Sequence, residues 1–166
     1  MKAINLKCEY LINPVGIDIA RPKLMWICDG GIKQTAYEVQ CLKGGELLWE
    51  SGKTETPSMY CICGAALSGR DRITWKVRLY DETDAAGDWS EEAFFEMGLL
   101  NKTDWKARWI AGNYKVNKKK RYPVDCFRQT FDVNAFASAR LYITACGLYE
   151  AHINGRRAGD FVLAPG

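Results

Sequence analysis

Apolar and polar positions alternate in short bursts through the first hundred residues, and each burst ends at a turn-forming residue. The clearest is "RITWKVRLYD", residues 72–81. Ile73, Trp75, Val77 and Leu79 fall on one side and Thr74, Lys76, Arg78 and Tyr80 on the other. That period of two marks a strand with one buried and one wet face. Further bursts are "LKCEYL" (6–11), "KLMWICD" (23–29), "TAYEVQCL" (35–42), "ELLWESG" (46–52), "SMYCICG" (58–64) and "EAFFEMG" (92–98). Asn13-Pro14, Gly30-Gly31, Gly44-Gly45 and Ser68-Gly69 punctuate them as chain breakers do. About seven short strands in roughly a hundred residues is the count of an immunoglobulin-like or fibronectin type III-like sandwich, so the pattern predicts an all-β fold.

The alternation stops in "MGLLNKTDWKARWIAGNYKVNKKKRYPVD", which predicts a sandwich over 1–98 and a linker over 99–123. Trp105 and Trp109 stand one helical turn apart, a spacing that suits anchoring the linker onto its neighbour. Lys118-Lys119-Lys120-Arg121 reads as a solvated loop tip rather than a nucleic-acid patch. Strand patterns resume in "CFRQTFDV", "ARLYITACG", "YEAHING" and "RRAGDFVL", as the start of a second β-domain over 124–166. Asn154-Gly155 is a strong hairpin signal, because both central residues of a type I′ turn need positive φ. A hairpin alone is marginal in water, so the last strands call for partners that the chain does not supply. Leu141, Ile143, Tyr149, Ile153, Phe161 and Val162 are too many apolar side chains for so few strands to cover. Self-association through this unfinished sheet is therefore expected.

Composition narrows the class. Of 166 residues, 48% are hydrophobic and 12% aromatic, ample for a packed core. A net charge of +3 is too mild to imply nucleic acid. No apolar run reaches the ~18 residues needed to span a membrane, and Asp18 and Pro22 interrupt the stretch where a secretory leader would need its core. Seven cysteines cannot all pair within one chain. Free, mostly buried thiols in a reducing compartment, and hence a cytoplasmic protein, are expected. Cys61 and Cys63 share one strand face, but zinc-type ligand spacing is missing, so neither metal nor other cofactor is expected.

Candidate catalytic groups are thin. His152 alternates with its neighbours as a strand residue and has no evident Ser or Cys partner. Asp81-Glu82, Asp84 and Glu91-Glu92 lie in turn-rich stretches where acids solvate a hairpin, whereas a glycosidase pair must flank a cleft. The residues alone predict no catalyst.

The residues do carry a resemblance. "LKCEYLINPVGIDIARPKLMW" resembles the opening of bacterial α-L-rhamnosidases of glycoside hydrolase family 78. The likeness continues through "QTAYEVQ", "LLWESGKTET", "TWKVRLYDETDAAGDWSEEAFFEMGLL" and "DWKARWI", and ends in "ARLYITACGLYEAHINGRRAGDFVLAPG". One departure is Ile73, which stands where fibronectin-like domains usually place a corner tyrosine. The resemblance implies a fibronectin-type sandwich followed by the start of a second, jelly-roll-like β-sandwich. The hydrolytic glutamates would then belong to an (α/α)6 barrel further along a longer chain. On that reading the chain is a non-catalytic N-terminal fragment with a structural or substrate-recognition role. Its partner would be the downstream catalytic domain, with no nucleic acid and no membrane. Two other readings are a stand-alone carbohydrate-binding module for a rhamnose-containing glycan and a protein-interaction module. For sugar contact the residues to name are Tyr149, Asn154 and Asp160.

Overall fold

A computed structural model describes residues 1–160 and 164. The elements in chain order are β1 (Lys2–Cys8), β2 (Val15–Ile17), β3 (Lys23–Asp29), β4 (Ala36–Lys43), β5 (Glu46–Glu50), β6 (Thr54–Glu55), β7 (Tyr60–Ile62), β8 (Arg72–Tyr80) and β9 (Ala93–Met97). A 3-10 turn (Lys102–Asp104) follows, and then the short pair β10 (His152–Ile153) and β11 (Arg156–Arg157). The chain divides into two compact units, Met1–Trp109 and Ile110–Gly166.

The first unit is a two-sheet sandwich. Strands β1-β3-β7 form the small sheet; β2-β9-β8-β4-β5 form the large one, with β6 paired to β4. The alternation read at β8 holds residue by residue: Ile73, Trp75, Val77 and Leu79 are fully buried. They meet Val39 and Cys41 of β4, Phe95 and Met97 of β9, and Leu24 and Trp26 from the opposite sheet. Burying such side chains contributes ~1.5–3 kcal/mol each, so this interface carries most of the stability of the unit. Gln34 is a polar side chain buried with them. Gln34 accepts from the Trp26 indole at 3.1 Å and donates to the carbonyls of Thr56 and Ser58 at 3.2 and 2.9 Å, which satisfies it in place.

Several expectations need correcting. The first strand runs over Lys2–Cys8, not 6–11, because Glu9 and Tyr10 adopt positive φ (48° and 67°) and turn the chain. The Glu9 carboxylate accepts the Lys23 N–H at 2.6 Å, which fixes that turn against β3. Strands β2 and β6 were not expected at all: each has two or three residues, too few to show a period. Pairing with a distant strand makes them, and β2 lies parallel to β9. Trp105 and Trp109 share no helix, since the chain is extended at Trp105 (φ −81°, ψ 104°) and Trp109 stays 69% exposed. The anchor is Asp104 instead, whose carboxylate accepts the Asn101 N–H at 3.0 Å while its carbonyl accepts from Arg70 at 3.4 Å.

Asp71 ties a corner of the sandwich. Its carboxylate lies 2.8 Å from Lys43 Nζ and accepts the Ser68 N–H at 3.0 Å. Burial works against the charge, but the Lys43 and Ser68 hydrogen bonds outweigh it and hold the carboxyl below its ordinary range. A depressed native pKa adds stability above the unfolded value of about 3.9, and this is lost as the pH falls through the native value. Melting temperatures measured from pH 6 down to 3 should therefore fall more steeply for the wild type than for Asp71→Asn. Equal slopes would show that the pair adds nothing.

In the second unit the Asn154-Gly155 turn forms as expected, with φ of 50° and 78°, and joins β10 to β11. The expected strands at 126–133 and 139–147 do not form. A strand persists only while its N–H and C=O groups have a ladder partner, and none pairs with these segments among the described residues. Their apolar side chains stay in water accordingly, Phe131 at 72% and Leu141 at 55% exposure. Of the last expected strand, Phe161, Val162 and Leu163 lie outside the described residues. The loop at 114–125 is ordered by stacking of Tyr114 on Tyr122, with centroids 5.0 Å apart, and by the Tyr114 hydroxyl donating to Asp125 at 3.0 Å. Lys118–Arg121 form its exposed tip, as expected of a solvated run.

Candidate docking surface

The two outer faces of the first unit differ in kind. On the large sheet, long polar side chains engage one another. The Arg78 guanidinium binds Glu38, whose carboxylate also accepts the Tyr80 hydroxyl at 3.1 Å. Lys76 and Arg78 lie over the Trp89 ring at 5.0 and 4.8 Å, Arg72 over Phe94 at 3.7 Å, and Lys53 over Tyr80 at 4.6 Å. Cation–aromatic stacks and ion pairs of this sort leave the face wetted, with its rings already capped.

The small sheet presents the opposite chemistry. Residues of β3 alternate, so Leu24 and Trp26 point into the core while Met25 and Ile27 point out. Register then sets their outward neighbours: Ile27 faces Ile4, Met25 faces Tyr60, and Lys23 faces Ile62. Ile4, Ile27, Tyr60 and Ile62 are 42%, 48%, 47% and 41% exposed, a contiguous apolar row across three strands. Scattered exposed apolar residues need no explanation, but a cross-strand row does, because it commonly marks an interaction surface. Lys23 lies over the Tyr10 and Tyr60 rings, at 5.6 and 5.2 Å, and gives one margin of the row a positive charge.

The residues named for sugar contact lie in the second unit. Tyr149 is half-buried; its hydroxyl donates to the Ile143 carbonyl at 3.3 Å and its N–H to the Ala164 carbonyl at 2.9 Å. Asn154 occupies the hairpin turn and Asp160 is exposed beyond β11. No hydrogen bond among the described residues joins the three. His152, a strand residue as expected, is exposed with Nε2 3.4 Å from Glu150. The acids at 81–84 serve turns: Asp81 accepts from Thr83 and Ala85, and Glu82 accepts the N–H groups of Ile32 and Lys33. Among the described residues no group of three or more His, Cys, Asp or Glu is placed to hold a metal ion. Sequence reasoning missed the small-sheet face, since "KLMWICD" is apolar on both sides and reads as buried throughout.

Comparison with known proteins gives this geometry a context. Residues 3–101 match the family described as the Rha78A-like N-terminal immunoglobulin domain, and residues 134–166 match the α-L-rhamnosidase N-terminal domain. An α-L-rhamnosidase of Formosa agariphila is 34% identical over 95% of this chain, and one of an Alteromonas species 32% identical over 95%. The chain spans only 19% of the length of each. Among solved structures, the native α-L-rhamnosidase of Aspergillus terreus superimposes with a TM-score of 0.69 at 25% identity, covering 99% of this chain and 20% of that one.

Proposed function

The chain belongs to the Rha78A-like N-terminal immunoglobulin domain family, the opening region of α-L-rhamnosidases, and on that premise we propose that it is a non-catalytic module that docks onto the rest of a longer rhamnoside-cleaving chain. The observation that carries this reading is the apolar row of Ile4, Ile27, Tyr60 and Ile62, which cross-strand register sets side by side on the small sheet. Its occupant is the remaining polypeptide of the same protein. In the relatives about four-fifths of the chain lies beyond the matched region, so a covalently linked surface is held close at high effective concentration. Intramolecular interfaces of this kind need only moderate apolar area. The thiols, all seven free and five of them at least partly buried, support a reducing, cytoplasmic setting.

The isolated chain should show no turnover of an aryl α-L-rhamnoside above the buffer blank, because the acids at 81 and 82 are engaged in turns and no catalytic carboxylate pair is recognisable among the described residues. L-rhamnose should leave its amide resonances unmoved. Turnover that survives purification and disappears in Glu91→Gln would overturn the non-catalytic reading. Rhamnose-dependent shifts confined to Tyr149, Asn154 and Asp160 would instead assign the module to sugar binding.

A further inference from the structure

Cys41 and Cys63 face each other across the core. Cys41 sits in β4 of the large sheet, and Cys63 follows β7 of the small one. Their sulfurs are 3.9 Å apart, both side chains are fully buried, and 22 positions separate them in the chain. Cys63 is held in place by its own N–H, which donates to the carbonyl of Pro22 at 2.9 Å. We propose that Cys41 and Cys63 form a disulfide-forming pair, a cross-link between the two sheets that closes when the chain meets a low-molecular-weight disulfide.

The geometry favours this pair over the other core thiols. Closing it brings two sulfurs together by about 1.9 Å, to the ~2.0 Å of a disulfide, and adds no atom to a close-packed interior. The neighbouring Cys8 and Cys61 thiols are each pushed up to about 12, chiefly by burial, which keeps them protonated and inert. Cys63 differs. Its contact with Cys41 and a backbone hydrogen bond at Ala65 lower it against the effect of burial, whereas Cys41 is driven up by donating to Cys63 and by burial.

The step balances. On the open chain one of the two cysteines, deprotonated, attacks one sulfur of the small disulfide and gives a mixed disulfide, releasing one thiolate that takes up the proton. The other cysteine, on losing its own proton, then attacks the protein sulfur of that mixed disulfide and displaces the second thiol. Two cysteine thiols are oxidised and one disulfide is reduced to two thiols. Because both sulfurs are buried in the native protein, the first attack occurs on the open or folding chain, and the native fold selects the partner. In a reducing compartment the pair stays open; in an oxidising one it clamps the sandwich.

The full chain carrying Cys126→Ser and Cys146→Ser, both at exposed positions, is refolded in a buffer of reduced and oxidised glutathione and quenched by alkylation. Peptide mass mapping should find Cys41 joined to Cys63, with Cys8, Cys28 and Cys61 alkylated once unfolded. The cross-linked form should melt about 10 °C above its reduced counterpart, as expected for a loop of this size. Mapping is repeated on the unsubstituted chain, where the same linkage should appear. Recovery of Cys41 and Cys63 as free thiols, their pairing with other cysteines, or a linked form that melts lower than the reduced one would overturn the proposal.

Discussion

Trp75→Ala is expected to remove a large share of the stability of the first unit. Trp75 is the largest fully buried side chain, pairing with Cys41 on one side and Ala93 on the other in the ladder. Truncating such a residue to Ala costs ~3–5 kcal/mol, against the 5–15 kcal/mol that holds an ordinary domain together. The indole adds a second feature: its Nε1–H is buried without a hydrogen-bond partner among the described residues. An unpaired buried donor costs ~1–3 kcal/mol, so Trp75→Phe removes that penalty while keeping most of the packing. Urea titration should find Trp75→Ala ~3–5 kcal/mol less stable than wild type, and Trp75→Phe within ~2 kcal/mol of it. A Trp75→Phe variant as damaged as Trp75→Ala would mean that the ring volume alone decides.

The second large effect belongs to the small-sheet face. Ile27→Asp combined with Ile62→Asp should barely change the stability of the isolated chain, because both side chains are already about half in water, at 48% and 41% exposure. Surface substitutions of that kind usually stay within ~0.5 kcal/mol each. Against the separately expressed remainder of the parent protein the same pair should weaken binding more than 100-fold. Each isoleucine forfeits ~1.5–3 kcal/mol of burial, and each new carboxylate would have to be desolvated without a partner. Calorimetric titration reads the difference. Unchanged affinity together with unchanged stability would show that this face is not where the module docks.

How much of this was legible depends on whether the deciding contacts are local. β3, β4 and β8 are placed within a residue by alternation and their flanking breakers, since a long strand with one buried face writes its own period. β2 and β6 carry no period, and their pairing is decided by distant strands. The hairpin at Asn154-Gly155 was legible because a type I′ turn is specified by two residues. The strands around it were not, for a periodic pattern still needs a neighbour to bond. Tyr149, Asn154 and Asp160 rest on side-chain chemistry alone: Tyr149 is half-buried and bonds the Ile143 carbonyl, while Asn154 sits in the turn that the local sequence specifies. The apolar row at Ile4, Ile27, Tyr60 and Ile62 is created by cross-strand register between segments far apart in sequence, which no single stretch displays.

Hydroxyl-radical footprinting of Met25 and Tyr60 tests docking most directly, because both are oxidised readily when exposed and they face each other on the outer side of the small sheet. The isolated chain is compared with the intact parent protein under one radical dose, and Tyr10, 63% exposed at the margin, is followed beside them. Docking through the small sheet predicts at least fivefold slower oxidation of Met25 and Tyr60 in the intact protein, reversed by Ile27→Asp with Ile62→Asp. Equal oxidation rates in the isolated chain and the intact protein would contradict it.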